Sequence, residues 1–455
     1  MLHLPCSARR GKNVAVRSAP EQHAGDQVLS SDQIDQTFEN FHAFSCLAIG
    51  VSGGSDSLAL LRLLHDWQQR SRWPGRFLVL TVDHGLRDES AQEAEFVGDL
   101  CLKIGVDHRT LRWTSAKPTS NLQDEARKAR YRLLAEAMSE ANAEALVLAH
   151  HRDDQVETFL DRLTRGSGVY GLGAMRADER SGPEGLRLLR PLLDVPKSQL
   201  QATLQQMGQG WCEDPSNDST DYKRVRLRHL AAELAAEGLD VERLVETAGR
   251  LRRAADAINA WVGQVLQNNV EEHPAGPFAL HCEQYSALPE EVRLRLVSRL
   301  ILRVTGTAYP PRLAKLEALD LALCTDEDVR LTLGGAQIVR FGDRFCFWKE
   351  AGRRPPETTN LCGQGSMVWD DRFRISTVRG EKVEEGMMIG PLASAPAADV
   401  DFAFPEDMPK DAFATCPAIW RREKLLLVPG LFHSDLEIEV SIAVEHLRKL
   451  PMRTV

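Results

Sequence analysis

Ser52-Gly53-Gly54-Ser55-Asp56-Ser57 lies between an apolar run, Phe44 to Val51, and a leucine-rich stripe carrying Leu58, Leu61 and Leu64. Two glycines let backbone amides approach an anion without Cβ obstruction, and the serines add small donors. A helix beginning near Ser57 aims its first amides and the positive end of its dipole at the same point. The segment reads as a phosphate site made by Ser52, Gly53, Gly54, Ser55, Asp56 and Ser57. The G-x-x-x-x-G-K-[ST] spacing and its lysine are absent, as is a G-x-G-x-x-G fingerprint. An aspartate inside an anion-binding loop is unfavourable by itself, and a divalent cation bridging Asp56 to phosphates removes the conflict.

A second cluster follows an apolar Ala145 to Ala149 run: His150, His151, Asp153, Asp154, Glu157 and Asp161. On a helix the spacing brings Asp154, Glu157 and Asp161 to one face, with Val156, Phe159, Leu160 and Leu163 on the other. Clustered carboxylates opposite a phosphate loop suit a magnesium ion, a substrate ammonium or general-base work. For His150 and His151, a hydrogen bond to backbone or a nucleotide contact is preferred over metal ligation. Arg127 and Arg130 fall one helical turn apart and suit phosphates. Arg224, Arg226 and Arg228 alternate with apolar residues in Lys223 to His229, so they cannot all share one helical face. They are expected to contact different partners, phosphates or Asp214 among them.

The elements that position these groups alternate. Phe44–Val51, Phe77–Val82 and Ala145–Ala149 read as buried strands, with helices after the loop at Ser57, from Glu89 to Lys103 and from Asn121 to Asn142. Such alternation predicts βαβ units and a parallel sheet, an α/β class whose ligands sit beyond the carboxyl ends of the strands. Past Asp221 come long helices, Val225 to Asn269 and Glu290 to Thr305, with no strand expected between them. Val329–Glu350 reads as β-hairpins, Arg353–Asn360 as a Pro-rich linker, and the remainder as a small α/β or β module with a hairpin at Ile419 to Phe432. The expected organisation is an extension over 1–40, a catalytic domain over 41–230, a mainly helical domain over 231–352 ending in hairpins, and a C-terminal domain over 361–455.

Composition bounds the rest. The chain has 455 residues, 43% hydrophobic and 27% charged, with a formal net charge of −9. That balance is globular, and it argues against a polyanion-coating protein while leaving room for local basic patches. No run of roughly 18 apolar residues exists, so no membrane span is expected. The nine cysteines form no C-x-x-C pair. Zinc knuckles, iron–sulfur runs and redox dithiols are therefore not signalled, and free thiols in a reducing cytoplasm are expected.

In order and spacing these motifs resemble the tRNA(Ile)-lysidine synthetase family of the PP-loop ATP pyrophosphatase superfamily. The resemblance runs over residues 44–230 through SGGSDS, Val82-Asp83-His84-Gly85-Leu86-Arg87, Glu125-Ala126-Arg127 with Arg130-Tyr131, His150-His151-Arg152-Asp153-Asp154-Gln155-Val156-Glu157-Thr158, Arg165-Gly166-Ser167-Gly168, Arg190-Pro191-Leu192-Leu193 and Glu213-Asp214-Pro215-Ser216-Asn217. It weakens through LTLGGAQIVRF. It implies an adenine nucleotide alpha hydrolase-like parallel-sheet domain that uses ATP and Mg²⁺. The implied reaction joins free L-lysine to C2 of the wobble cytidine in the CAU anticodon of tRNA(Ile), through an adenylated cytidine, with loss of pyrophosphate and then AMP. On this basis Asp56, Asp154, Glu157 and Arg228 are expected to be catalytic, and Asp56 and Asp154 to hold Mg²⁺. Asp83, His84 and Arg87 are expected to join the phosphate loop in binding ATP. Arg127, Arg130, Arg224, Arg226 and Arg228 are expected to contact tRNA. A cytoplasmic enzyme is implied and a homodimer left open. The rival readings are a PP-loop tRNA thiolase, another synthetase of the superfamily, or a nucleotide-binding regulator.

Overall fold

A computed structural model describes residues 16–17, 28–85, 89–115, 122–213, 223–307, 309–325, 328–352, 355–361, 366–377, 386–396, 400–434 and 442–446. Arg87 and Asp214 lie outside the described residues, as does most of the N-terminal extension. The chain divides into two compact units, residues 1–253 and 254–455.

The first unit runs β1 (Val16–Arg17), α1 (Ser31–Phe38), β2 (Cys46–Gly50), α2 (Ser55–Ser71), β3 (Arg76–Asp83), α3 (Glu89–Ile104), β4 (Asp107–Arg112), α4 (Leu122–Ala141), β5 (Ala145–Val147), α5 (Arg152–Leu163) and α6 (Val169–Leu172). It continues with β6 (Asp178–Glu179), β7 (Leu188–Leu189), α7 (Lys197–Gln206), β8 (Trp211–Cys212), α8 (Lys223–Ala236) and the start of α9 (Val241–Asn268). Six strands form one sheet in the order β4-β3-β2-β5-β7-β6, parallel except for β6. Alternation along the strands sends Leu47, Ile49, Phe77 and Val79 to one face, packed with residues of α1, α2 and α7, and Ala48, Leu78 and Leu80 to the other, packed with α4. After β2 the chain builds β3 and β4 on one side and then returns to place β5 on the other. That reversal is a switch point, and it opens a crevice at the carboxyl ends of β2, β3 and β5 where the polar clusters begin.

Edge strand β4 was not anticipated from the sequence. Its residues DHRTLR are all exposed or half-buried, so it carries no apolar run to betray it.

Past Asp221 the expectation of uninterrupted helices needs correcting. A break at 237–240, with Gly238 at φ +89°, separates α8 from α9, and strands β9 (Glu271–Glu272) and β10 (Phe278–His281) lie between α9 and the next long helix. Those strands join β11 (Arg330–Leu333), β12 (Ala336–Phe341) and β13 (Arg344–Lys349) in the antiparallel order β11-β12-β13-β10-β9. Phe278 and Leu280 from β10 pack with Ile338, Phe345 and Phe347 beneath helices α10 (Glu290–Thr305) and α11 (Leu313–Thr325), which explains why a short strand forms there. Thr359 and Asn360, expected in a linker, pair with Ile389 and Met388 instead. The described residues after 355 form antiparallel strands with two 3₁₀ turns and no α-helix.

Candidate active site

The phosphate loop is shaped by backbone. Gly53 has φ +90°, a conformation that side chains rarely tolerate, and its carbonyl accepts the Cys212 N–H at 2.9 Å. Ser57 Oγ accepts the Ser52 N–H at 3.1 Å and donates to the Gly54 carbonyl at 3.0 Å. These bonds close the loop over the first turn of α2, with Gly54 as its N-cap. Ser52 is exposed, whereas Ser55 and Ser57 are buried in the loop. Beside it a cavity of about 170 Å³ is lined by Gly50, Val51, Thr81, His84, Glu93 and Arg130, among others. Asp83 closes its rim by accepting from the Gly85 N–H at 2.9 Å and the Ser90 hydroxyl at 2.5 Å.

Asp56 and the start of α5 meet through His151. The buried imidazole faces Asp56 Oδ2 and Asp154 Oδ2 with Nε2, each at 3.5 Å, and Asp153 Oδ2 with Nδ1 at 3.4 Å. Burial alone lowers its pKa, but Asp153, Asp56 and Asp154 outweigh burial and hold it up at about 9. It is an imidazolium at neutral pH. In return His151 holds the Asp153 carboxyl at about 2, against the opposing effect of burial. Burial raises the Asp56 carboxyl, yet His151, Lys197 and Ser55 bring it below its ordinary value. Asp154 Oδ2 also accepts the His151 backbone N–H at 3.0 Å, so α5 is capped by the same carboxylate that points at the loop.

His150 has the opposite character. Burial lowers its pKa, and the charges of Arg190, Arg130, Arg224 and Arg127 depress it further, to about 3. It is neutral, under the combined positive charge of those four guanidiniums. Arg127 also lies over the Tyr131 ring at 5.2 Å. Arg190 is 6% exposed and donates to Glu179 at 2.8 Å and to the Arg176 carbonyl at 3.0 Å.

Glu157 and Asp161 share a face of α5, as their spacing predicts, but cations from α8 meet them. Glu157 is 4% exposed and accepts from Arg228 Nε, with Arg224 Nε 3.9 Å from its other oxygen. Asp161 pairs with Lys223 at 2.6 Å and Arg165 at 2.7 Å. Arg224 and Arg228, four residues apart, thus serve one carboxylate, while the exposed Arg226 falls elsewhere on the helix between buried Val225 and Leu227. The sequence reading missed Lys197, whose Nζ stands 3.6 Å from Asp56 Oδ2. It also gave no role to Arg190 or to the Cys212 backbone. No periodic signal links residues so far apart in the chain.

The geometry can hold a polyphosphate at the loop, a nucleoside in the adjoining cavity, and a cation or a cationic substrate between Asp56 and Asp154. Asp56 and Asp154 are hard oxygen donors, and Mg²⁺ commonly takes one or two carboxylates with phosphates and waters supplying the rest. Among the described residues no group of three or more His, Cys, Asp or Glu forms an all-protein metal cage. The pair therefore fits a cation shared with a phosphate ligand.

Comparison with known proteins agrees with a PP-loop domain in this part of the chain. A family model described as a PP-loop domain matches residues 27–234. The tRNA(Ile)-lysidine synthase of Bradyrhizobium diazoefficiens is 45% identical over 307 residues, covering 65% of this chain and 82% of that protein. The tRNA(Ile)-lysidine synthase of Brucella anthropi is 35% identical over 438 residues, covering 91% and 93%. Among solved structures, a U34-tRNA thiolase from Methanococcus maripaludis aligns with a TM-score of 0.40 at 17% identity, over 48% of this chain and 78% of that one. On the identity and coverage of these relatives, the chain belongs to the tRNA(Ile)-lysidine synthase family.

Proposed function

We propose that the chain uses ATP to join free L-lysine to C2 of the wobble cytidine in the CAU anticodon of tRNA(Ile), through an adenylated cytidine. The observation that carries this reading is the convergence of the phosphate loop, the Asp56–His151–Asp154 cluster and the arginines around His150 at the ends of β2 and β5.

The loop amides and the start of α2 hold the polyphosphate, where charge develops as pyrophosphate leaves. Asp56 and Asp154 would hold Mg²⁺, which when bound neutralises phosphate charge. Arg127, Arg130 and Arg224 suit the phosphates flanking a splayed-out cytidine, and anticodon loops already present their bases single-stranded. Lysine arrives as an ammonium and must lose a proton before its ε-amine attacks C2. Asp154 suits that task, since its Oδ1 makes no hydrogen bond among the described residues, its contacts with His151 being through Oδ2. Glu157 is bound to Arg228, and together they orient α8 against α5. The reaction belongs in the cytoplasm, where tRNA, ATP and lysine meet.

Asp154→Ala is expected to abolish transfer of labelled lysine to tRNA while ATP still binds. Turnover at the unsubstituted rate in that variant contradicts the assignment.

A further inference from the structure

The phosphate loop contains no lysine or arginine, yet a departing pyrophosphate gains negative charge. A cation reaches the loop from elsewhere in the chain. Lys197 is the first residue of α7, and its backbone N–H donates to Asp153 Oδ2 at 3.0 Å. The same carboxylate oxygen faces His151, so the main chain of Lys197 is tied to the centre of the site. Its side chain is committed to much less. The Nζ stands 3.6 Å from Asp56 Oδ2, beyond hydrogen-bond length, and makes no hydrogen bond to any described residue. The side chain is 33% exposed, so three ammonium donors face a partly open space beside the first turn of α2. Nor is Lys197 the sole neighbour of that oxygen, which His151 Nε2 also faces at 3.5 Å.

We propose that Lys197 is a catalytic residue of the adenylation step, and that its ammonium binds the β- and γ-phosphate oxygens and stabilises pyrophosphate as it leaves. The proposal rests on the adenylation reading above. In that step a bond forms between cytidine O2 and the α-phosphorus, and the bond from the α-phosphorus to the oxygen bridging to the β-phosphate breaks. The bonding pair leaves on that oxygen, pyrophosphate gains one negative charge, and the pyrimidine ring gains one positive charge. Lys197 keeps its proton and contributes hydrogen bonds that strengthen as charge builds, which is the differential stabilisation that accelerates a reaction. A flexible four-carbon stem lets the ammonium move from Asp56 to the phosphates without moving α7.

The test compares Lys197→Ala and Lys197→Arg with the unsubstituted chain. Binding of magnesium pyrophosphate and, separately, of AMP is measured by calorimetry without tRNA or lysine, and lysidine formation is followed at saturating ATP. Lys197→Ala is expected to weaken pyrophosphate binding about tenfold and to lower kcat about 10²-fold, as expected for loss of one charge-stabilising donor. AMP binding and the KM for lysine are expected to stay unchanged, and Lys197→Arg to regain most of both losses. Unchanged pyrophosphate binding in Lys197→Ala overturns the proposal. So does an equal loss of AMP binding, which marks a general effect through Asp56. The main-chain bond to Asp153 survives both substitutions, and circular dichroism checks the fold. A chain that binds pyrophosphate through Lys197 but transfers no lysine contradicts the lysidine reading alone.

Discussion

His151 is buried with both ring nitrogens facing aspartates, and its charge decides how Asp56 and Asp154 are presented. Its pKa in the folded chain, about 9, exceeds the ordinary histidine value of 6.5. The stability it contributes is therefore fully present below pH 6.5 and is lost as the pH rises through about 9. Denaturant unfolding of the first unit is expected to show a contribution on the order of 3 kcal/mol declining across that window, absent in His151→Gln. A flat profile for the unsubstituted chain contradicts the ion cluster. Glu157 makes a different case, because its Arg228 partner is half exposed and the pair is partly screened. Glu157→Ala is expected to cost about 1–2 kcal/mol, measured as a shift in the urea midpoint at unchanged slope. At this scale the sequence was informative where chemistry is local. Ser52 to Ser57 and the Asp154–Glu157–Asp161 face are patterns within two helical turns. Lys197 and Arg190 reach the site through tertiary packing alone, which no local spacing reports.

The element that matters most is the turn from β2 into α2. Gly53 adopts a left-handed backbone, and a Cβ there would stand 3.6 Å from Cys212 Sγ and 3.7 Å from Glu93 Cβ, ordinary contacts that need no movement. The cost of Gly53→Ala is then backbone strain, about 1–2 kcal/mol, together with a displaced loop amide. A lowered thermal midpoint and a raised KM for ATP are the expected readouts. Buried strands β2, β3 and β5 announced themselves because both their faces are covered, which leaves continuous apolar runs. Strand β4 has a largely exposed surface and the four-residue β10 reads as part of a loop, so neither carried a signal long enough to recognise. The charged face of α5 could be read as a face, but its counter-ions could not. They come from α8, which packs on α5 through Val156, Leu160 and Leu227.

Over the whole molecule, a net charge of −9 conceals how charge is distributed. Much of the acidity near the site is engaged: Asp153 and Asp154 with His151, Glu157 with Arg228, and Asp161 with Lys223. Arg127, Arg224 and Arg226 lie on exposed surface of the first unit. Binding of tRNA is accordingly expected to weaken with salt, and Arg226→Ala to reduce the slope of log K against log salt by roughly 0.7, the share of one single-stranded phosphate contact. An unaltered slope removes Arg226 from the tRNA contacts. The class of the first unit could be read from its alternating strands and helices, whereas the antiparallel sheets of the second unit, built from strands as short as two residues, were only partly foreseen. The central claim is tested most directly by incubating the protein with ATP, Mg²⁺, L-lysine and a tRNA(Ile) transcript bearing CAU, then analysing the wobble nucleoside by mass spectrometry. A cytidine carrying one lysine, with AMP and pyrophosphate formed in equal amount, is the predicted result. An unmodified cytidine, or one that takes up sulfur from an added donor instead, contradicts it.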